Sequence, residues 1–129
     1  MNPVIYVFVN KSLGMTAGKL AAQAAHAVAM VMIDETEEAR LQWRNGVHKT
    51  MLVMEAKDEN HINNIERYLK ERNVPCRVVV DEGVNEIDPH TITALATAIL
   101  NKDDENVSKT FSTFSLYRDT VRVTLELDK

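Results

Sequence analysis

Apolar residues occur along this chain in two patterns, short runs of four to seven residues and longer stretches with helical spacing. The short runs, at 4–9, 50–54, 77–80 and 91–97, are rich in β-branched residues or alternate in polarity, which predicts four strands. The longer stretches follow the first, second and fourth runs, and their apolar residues lie three or four positions apart, which predicts helices. Strands separated by helices favour parallel pairing and an α/β sandwich.

The first helix is predicted from about Thr16 to Ile33, and small residues make up much of it. Alanines and two larger residues give it a wide apolar face, which we expect to pack closely against the sheet. The residues of this face are Ala21, Ala22, Ala25, Val28, Ala29 and Met32. His26 lies within the alanine-rich face and is expected to be a buried structural histidine rather than a catalyst.

Three further helices are indicated by their start and stop signals. An acidic cluster from Asp34 begins a second helical segment that continues through Trp43. Asp58 is a good N-cap for a third helix, and Asn73 is a plausible stop for it. A last helix is predicted to start at 103–105.

The end of the chain alternates strictly between apolar and polar residues at 121–127, which predicts an amphipathic edge strand. The sequence contains no repeat, linker or low-complexity segment. We therefore expect a single domain over 1–129, in which 118–129 is an additional C-terminal segment. Such a strand could block or create a contact between subunits.

Length and charge limit the classes of protein to which this chain can belong. With 129 residues and 45% hydrophobic residues, it can bury an adequate core for one domain. A formal net charge of −4 argues against indiscriminate nucleic-acid binding, so binding of RNA requires a local positive face. The sequence has neither a signal-peptide pattern nor a charge-free apolar span, and we expect a cytoplasmic protein with no membrane partner.

The single cysteine, Cys76, excludes an internal disulfide and fits a reducing compartment. It precedes the apolar run 78–80, which favours a buried strand residue over a nucleophile. With one cysteine and four scattered histidines, the sequence shows no metal-ligand spacing, and no metal site is predicted.

A lysine near the start of the first helix is the first candidate for chemistry. The strand before it places the helix N-terminus, with its positive dipole end, at the carboxyl edge of the sheet. Lys19 and Gln23 are four residues apart and share one helix face. A cation where anions normally bind suggests a negatively charged ligand, and a solvated lysine beside a core helix is the alternative. The spacing of Gly14 and Gly18, with Leu20 after the lysine, does not fit a nucleotide-binding Walker A loop.

A carboxylate is expected to meet this lysine. Asp81 ends the third strand, and ligands of parallel sheets bind beyond the carboxyl ends of the strands. If the first and third strands run parallel, Lys19, Gln23 and Asp81 open onto one edge, with Asn85 one loop turn further on. The alternative is a structural ion pair with a loop-capping aspartate.

Two segments together resemble the signature of the type II peptidyl-tRNA hydrolases. They are MTAGKLAAQAAHA at 15–27 and DEGVNEIDPHTITALA at 81–96, in the order and at the distance typical of that family. The resemblance implies a three-layer α/β sandwich with a mixed, mostly parallel four-stranded sheet, commonly dimeric. It also implies cleavage of the ester that joins a peptide, or an N-blocked aminoacyl group, to the 3′ end of tRNA, with no metal or cofactor.

The resemblance assigns functional residues by position. It implies catalytic roles for Lys19, Gln23 and Asp81, with Asn85 at a position where the family usually has threonine. Asp81 would orient and deprotonate a water molecule, while Lys19 would stabilise the oxyanion or a terminal phosphate. The two amides would position water or carbonyl by hydrogen bonds. The substrate-binding residues would be Gly18, Lys19 and Gly83.

The sequence also departs from the family pattern. Ala17 replaces a second lysine, Glu82 and Glu86 add two negative charges near the proposed site, and Asn85 cannot shuttle a proton as a hydroxyl does. We therefore expect activity below the family norm. The alternative is a relative that keeps the fold and acts as a binding or regulatory module; a hydrolase of small molecules at the same edge is a third possibility.

Overall fold

A computed structural model of the protein describes residues 2–82 and 90–118. It contains the four predicted strands, the predicted helices, a short 3-10 helix after the first strand and a fifth, two-residue strand. In chain order these elements are β1 (Pro3–Asn10), the 3-10 helix (Lys11–Leu13), α1 (Ala17–Asp34), α2 (Glu37–Asn45), β2 (Thr50–Ala56), α3 (Glu59–Glu71), β3 (Cys76–Asp81), β4 (Thr91–Thr97), β5 (Leu100–Asn101) and α4 (Glu105–Phe111). The predicted strand at 121–127, like Gly83 and Asn85, lies outside the described residues.

The sheet is mixed, with strand order β2-β1-β4-β3 and with β5 paired to β1. β1 and β2 pair in parallel, whereas β4 is antiparallel to both of its neighbours. β1, β2 and β3 therefore run in one direction and β4 runs against them. Parallel pairing is correct for β1 and β2, but β3 and β4 pair antiparallel, because the nine residues between them, 82–90, are too few for the crossover that a parallel pair needs.

Helices cover both faces of the sheet. On one face α3 and α4 pack on side chains that include Tyr6, Phe8 and Leu95. On the other face α1 and α2 pack on Ile5, Val7 and their neighbours. All eight residues of β1 are buried, as expected for a strand covered on both sides. This arrangement is the predicted three-layer sandwich.

The face that α1 buries differs from the predicted one. Val28 and Met32 are partly buried, as expected, but Ala21, Ala22, Ala25 and Ala29 are exposed. His26 is exposed as well, so the expectation of a buried structural histidine is wrong. The residues of α1 that are fully buried are Gln23, Ala27 and Val31. The apolar residues of α1 occur on all sides of the helix, so their spacing does not single out one face. The polar Gln23 is buried because its amide has hydrogen-bond partners beneath α1.

Polar side chains define the helix starts. Thr16, Thr36 and Asp58 each accept a hydrogen bond from the backbone N–H three residues later. The predicted cap at Asp58 is confirmed. Asn73, two residues beyond the end of α3, has a φ of 58°, which is the left-handed conformation of a helix stop. None of the helices in residues 2–82 and 90–118 is long and apolar enough to cross a membrane.

The outer edge of β2 is covered by the segment 115–117. Leu116 forms an antiparallel bridge with Met54. The Glu55 N–H donates to the Ser115 carbonyl at 3.0 Å, and the Tyr117 N–H donates to the Val53 carbonyl at 2.8 Å. The chain therefore covers the edge of β2 at residues 53–55 with a single antiparallel bridge.

The cap at Asp58 should contribute measurably to stability. Replacing Asp58 with alanine leaves the His61 N–H, now bonded to the carboxylate at 2.8 Å, without its partner. We expect a loss of about 1 kcal/mol in the free energy of unfolding, measured by urea denaturation. Asp58→Asn retains a capping oxygen and should lose much less. Equal losses in the two variants would contradict the role of the cap.

Cys76, the first residue of β3, is partly buried. Burial, together with the nearby Glu66 carboxylate, raises the pKa of its thiol to about 11. Since the thiolate is the reactive form, alkylation by iodoacetamide at pH 8 should be on the order of 10- to 100-fold slower in the native protein than in urea. Mass spectrometry of the alkylated protein measures both rates. Equal rates would show that the folded environment does not protect the thiol.

Candidate functional site

The structure brings Lys19 and Asp81 together, as the sequence predicts. Lys19 lies in the first turn of α1, where the side chain of the N-cap Thr16 accepts its backbone N–H at 3.3 Å. Asp81 is the last residue of β3. The Lys19 ammonium nitrogen is 3.0 Å from Oδ1 of Asp81, a contact that joins residues 62 positions apart in sequence.

Gln23 extends this contact into a network of three hydrogen bonds. Its Nε2 donates to the same Oδ1 of Asp81 at 3.3 Å. Its Oε1 accepts a hydrogen bond of 2.6 Å from the hydroxyl of Thr93 on β4. Gln23 and Thr93 are both buried, so the amide has one orientation in which its oxygen and nitrogen are both satisfied. The carboxylate is thus held by an ammonium and by an amide whose own orientation is fixed.

A β-bulge places Thr93 in the site. Val79 pairs with Ala94, but the next residue, Val80, pairs with Ile92, so Thr93 is the extra residue on β4. Ile92 contacts the core beneath α3, while Ala94 packs on the opposite side with α1. Thr93 also faces α1, as the hydrogen bond from its hydroxyl to Gln23 shows. The alternation predicted for 91–97 is therefore interrupted here.

The ion pair of the site is largely removed from water. The side chain of Lys19 is 10% exposed and that of Asp81 is 7% exposed. Moving two charges out of water has a high desolvation cost, which is offset only when each charge has well-placed partners. Here the carboxylate receives hydrogen bonds from Lys19 and Gln23 and lies beside the first turns of α1, where the helix dipole favours negative charge. Such an arrangement can orient a water molecule and stabilise an oxyanion.

Asn10 holds the backbone next to the site. It ends β1, and its amide donates to the Ile92 carbonyl at 2.9 Å. Its Oδ1 accepts from both the backbone N–H and the hydroxyl of Ser12. These bonds tie the turn after β1 to the start of β4, next to the bulge at Thr93.

The remaining predicted site residues fall into two groups. Gly18 is exposed in the first turn of α1, and apart from its own helix backbone no heavy atom of residues 2–82 and 90–118 lies within 4 Å of the position that a Cβ would take. Gly83 and Asn85, like Glu86, lie outside the described residues. The side chain of Glu82 is 70% exposed, and its carboxylate lies 3.8 Å from Nδ1 of His90 rather than at Lys19. In the described ranges, no group of three or more histidine, cysteine or acidic residues is arranged to hold a metal ion.

Thr93 is the residue of this network that sequence reasoning did not single out. It lies within the motif at 81–96, but period-two alternation places it on the face of Leu95, away from α1. Only the bulge turns its side chain towards Gln23. A polar residue within an otherwise buried, alanine-rich strand was the available signal.

Comparison with known proteins covers the same segments. The family model described as peptidyl-tRNA hydrolase PTH2 matches residues 4–117. A peptidyl-tRNA hydrolase of Haloquadratum walsbyi is 32% identical over 111 residues, which cover 86% of this chain and 96% of the relative. One of Methanocaldococcus jannaschii is 30% identical, over 80% of this chain and 90% of its own length. One of Pyrobaculum aerophilum is 27% identical, over 92% of this chain and all of its own length. The resemblance inferred from two motifs is confirmed, and the chain belongs to the PTH2 family of peptidyl-tRNA hydrolases.

Proposed function

We propose that this protein hydrolyses the ester between a peptide, or an N-blocked aminoacyl group, and the 3′ end of tRNA, and that Lys19, Gln23 and Asp81 carry the reaction. Membership of the PTH2 family supports the activity. The observation that supports the residue assignment is the buried contact of 3.0 Å between Lys19 and Asp81, with the amide of Gln23 on the same carboxylate oxygen.

Asp81 prepares the nucleophile in this mechanism. Ester hydrolysis needs a water molecule held in line with the carbonyl carbon and relieved of a proton as it attacks. The Asp81 carboxylate accepts a hydrogen bond from that water and takes up its proton, directly or through a relay. Because Lys19 and Gln23 fix the direction of the carboxylate, the water is held in one orientation.

Lys19 stabilises the charge that develops on the substrate. An ammonium group has three N–H donors, and the contact with Asp81 uses one of them. The others stabilise the oxyanion of the tetrahedral intermediate or a phosphate at the end of the tRNA. Because the side chain of Lys19 is only 10% exposed, water screens this interaction weakly.

Gln23 and Thr93 have positioning roles. The Thr93 hydroxyl donates to Oε1 of Gln23, which directs the amide nitrogen towards Asp81. Asn85 is assigned to positioning the water or the ester carbonyl, and Gly18 and Gly83 to substrate binding, on the family resemblance. At Gly18 the described part of the chain leaves space for a ligand, because beyond the local helix backbone none of its atoms lies within 4 Å of the Cβ position.

The proposal extends to location and assembly. A protein that acts on peptidyl-tRNA works where translation occurs, which favours the cytoplasm. A homodimer is also proposed on the family resemblance, and sedimentation of the purified protein, of 14.6 kDa per chain, tests it directly.

Asp81→Asn and Lys19→Ala should each lower kcat/KM by roughly 100-fold or more, because each removes a base or a charge-stabilising donor. The measurement is release of free tRNA from an N-acetyl-aminoacyl-tRNA. Lys70→Ala is the matched control, because Lys70 lies near the far end of α3 with its side chain 66% exposed. Circular dichroism checks that each variant is folded, since removal of one partner of a buried ion pair leaves the other charge uncompensated and destabilises the protein. Unchanged hydrolysis in both variants would refute the mechanism.

Thr93→Val should lower kcat/KM roughly tenfold, because Gln23 loses the donor that orients its amide. The variant should also lose about 1–3 kcal/mol of stability, since a buried carbonyl oxygen is left unpaired. Thr93→Ser keeps the hydroxyl and should restore activity. If serine and valine have the same activity, the hydroxyl has no positioning role.

A further inference from the structure

The two edges of the sheet differ. Within the described ranges, β3 pairs with β4 on one side and with no strand on the other, whereas the outer edge of β2 meets the segment 115–117. Alternate residues of a strand direct their N–H and C=O groups to opposite sides, so about half of β3 directs its backbone outward. Its sequence, CRVVVD, is rich in β-branched residues and contains no proline. Such an edge readily accepts another strand.

This edge leads directly into the site. β3 ends at Asp81, which contacts Lys19 and Gln23 through its side chain. Val80, the residue before it, is 42% exposed and offers an apolar side chain at the same edge, on the face of the sheet opposite the carboxylate. A strand added along β3 would therefore have one of its ends at the catalytic groups.

We propose that the outer edge of β3, over Cys76–Val80, binds the peptide part of the substrate as an added strand that runs parallel to β3. This inference rests on the proposed function. The peptide is esterified through its C-terminal carbonyl, and that carbonyl must lie at Asp81 and Lys19. Because β3 also reaches Asp81 with its C-terminal end, the two strands run in the same direction.

Backbone pairing suits a substrate of variable sequence. Hydrogen bonds to an added strand involve only main-chain groups, so they do not depend on the peptide's side chains. At about 3.3 Å per residue, the edge from Asp81 back to Cys76 accommodates roughly five residues of peptide.

The occupant favoured by the site is a peptide rather than a second copy of the chain. A stable dimer buries about 1,200 Å² or more, which a six-residue edge supplies only with help from flanking surfaces. A peptide whose ester end is already held at Lys19 and Asp81 needs only a few main-chain hydrogen bonds to be positioned.

The first test varies the length of the peptide on one tRNA. Blocked peptides of one to eight residues are attached, and kcat/KM is measured for each. We expect kcat/KM to rise about two- to tenfold for each main-chain hydrogen bond gained and to level off near five residues. Equal values at all lengths would overturn this inference alone, because the one-residue substrate would still be hydrolysed. Absence of hydrolysis at every length would overturn the proposed function, and this inference with it.

The second test removes single peptide N–H groups by N-methylation in a five-residue substrate. Strand pairing predicts losses in kcat/KM at alternate positions only, because alternate N–H groups face β3. A uniform loss, or none, would overturn the inference. Because the N-methyl groups are on the substrate, this test does not alter the fold of the enzyme.

Proline variants provide the matched pair on the enzyme. Of the adjacent residues Val78 and Val79, strand geometry directs one N–H towards β4 and the other outward. We expect the outward Val→Pro variant to lose less thermal stability than the other, which also breaks a hydrogen bond to β4, and to lose the dependence on peptide length. Retained length dependence in that variant would overturn the inference. So would a wild-type dimer in sedimentation that this variant converts to monomer, since a second copy would then occupy the edge.

Discussion

The buried ion pair between Lys19 and Asp81 is the interaction on which the site depends. It joins the first turn of α1 to the end of β3, and so it fixes the position of a helix against the strand at one side of the sheet. Two nearly buried charges are a poor way to stabilise a fold, because apolar residues of similar size would avoid the desolvation cost. The proposed mechanism gives both charges a role, since it uses the carboxylate as a base and the ammonium to stabilise an oxyanion.

The antiparallel strand β4 completes the hydrogen-bond network around this ion pair. It lies between β1 and β3, and its bulge directs Thr93 towards α1. Gln23 then connects the strand to the ion pair through hydrogen bonds at both ends of its amide. The site is therefore assembled from one helix and two neighbouring strands, all of them held by the core. Side chains on such elements keep their geometry better than side chains on loops.

The sequence predicts the elements of the fold and the meeting of Lys19 with Asp81, because hydrophobic periodicity and strand direction are local signals. The sequence-based prediction fails where a local pattern is compatible with two structures. The apolar residues of α1 occur on all sides of the helix, so the sequence does not show which face is buried. His26 was therefore predicted to be buried, although it is exposed. Thr93 was missed because a bulge is set by pairing with β3 and leaves no mark on the alternation of β4. The antiparallel pairing of β3 with β4 follows from the short connection of nine residues between them, which the reasoning about sheet edges did not use.

The closure of β2 by residues 115–117 limits what the sheet can become. A sheet with two open edges can add strands on both sides, and such growth continues from chain to chain into fibres. Here the bridge between Met54 and Leu116 occupies one side. In the part of the chain that the structure describes, a further strand can therefore be added beside β3 but not beside residues 53–55 of β2, which disfavours growth of the sheet from both sides at once.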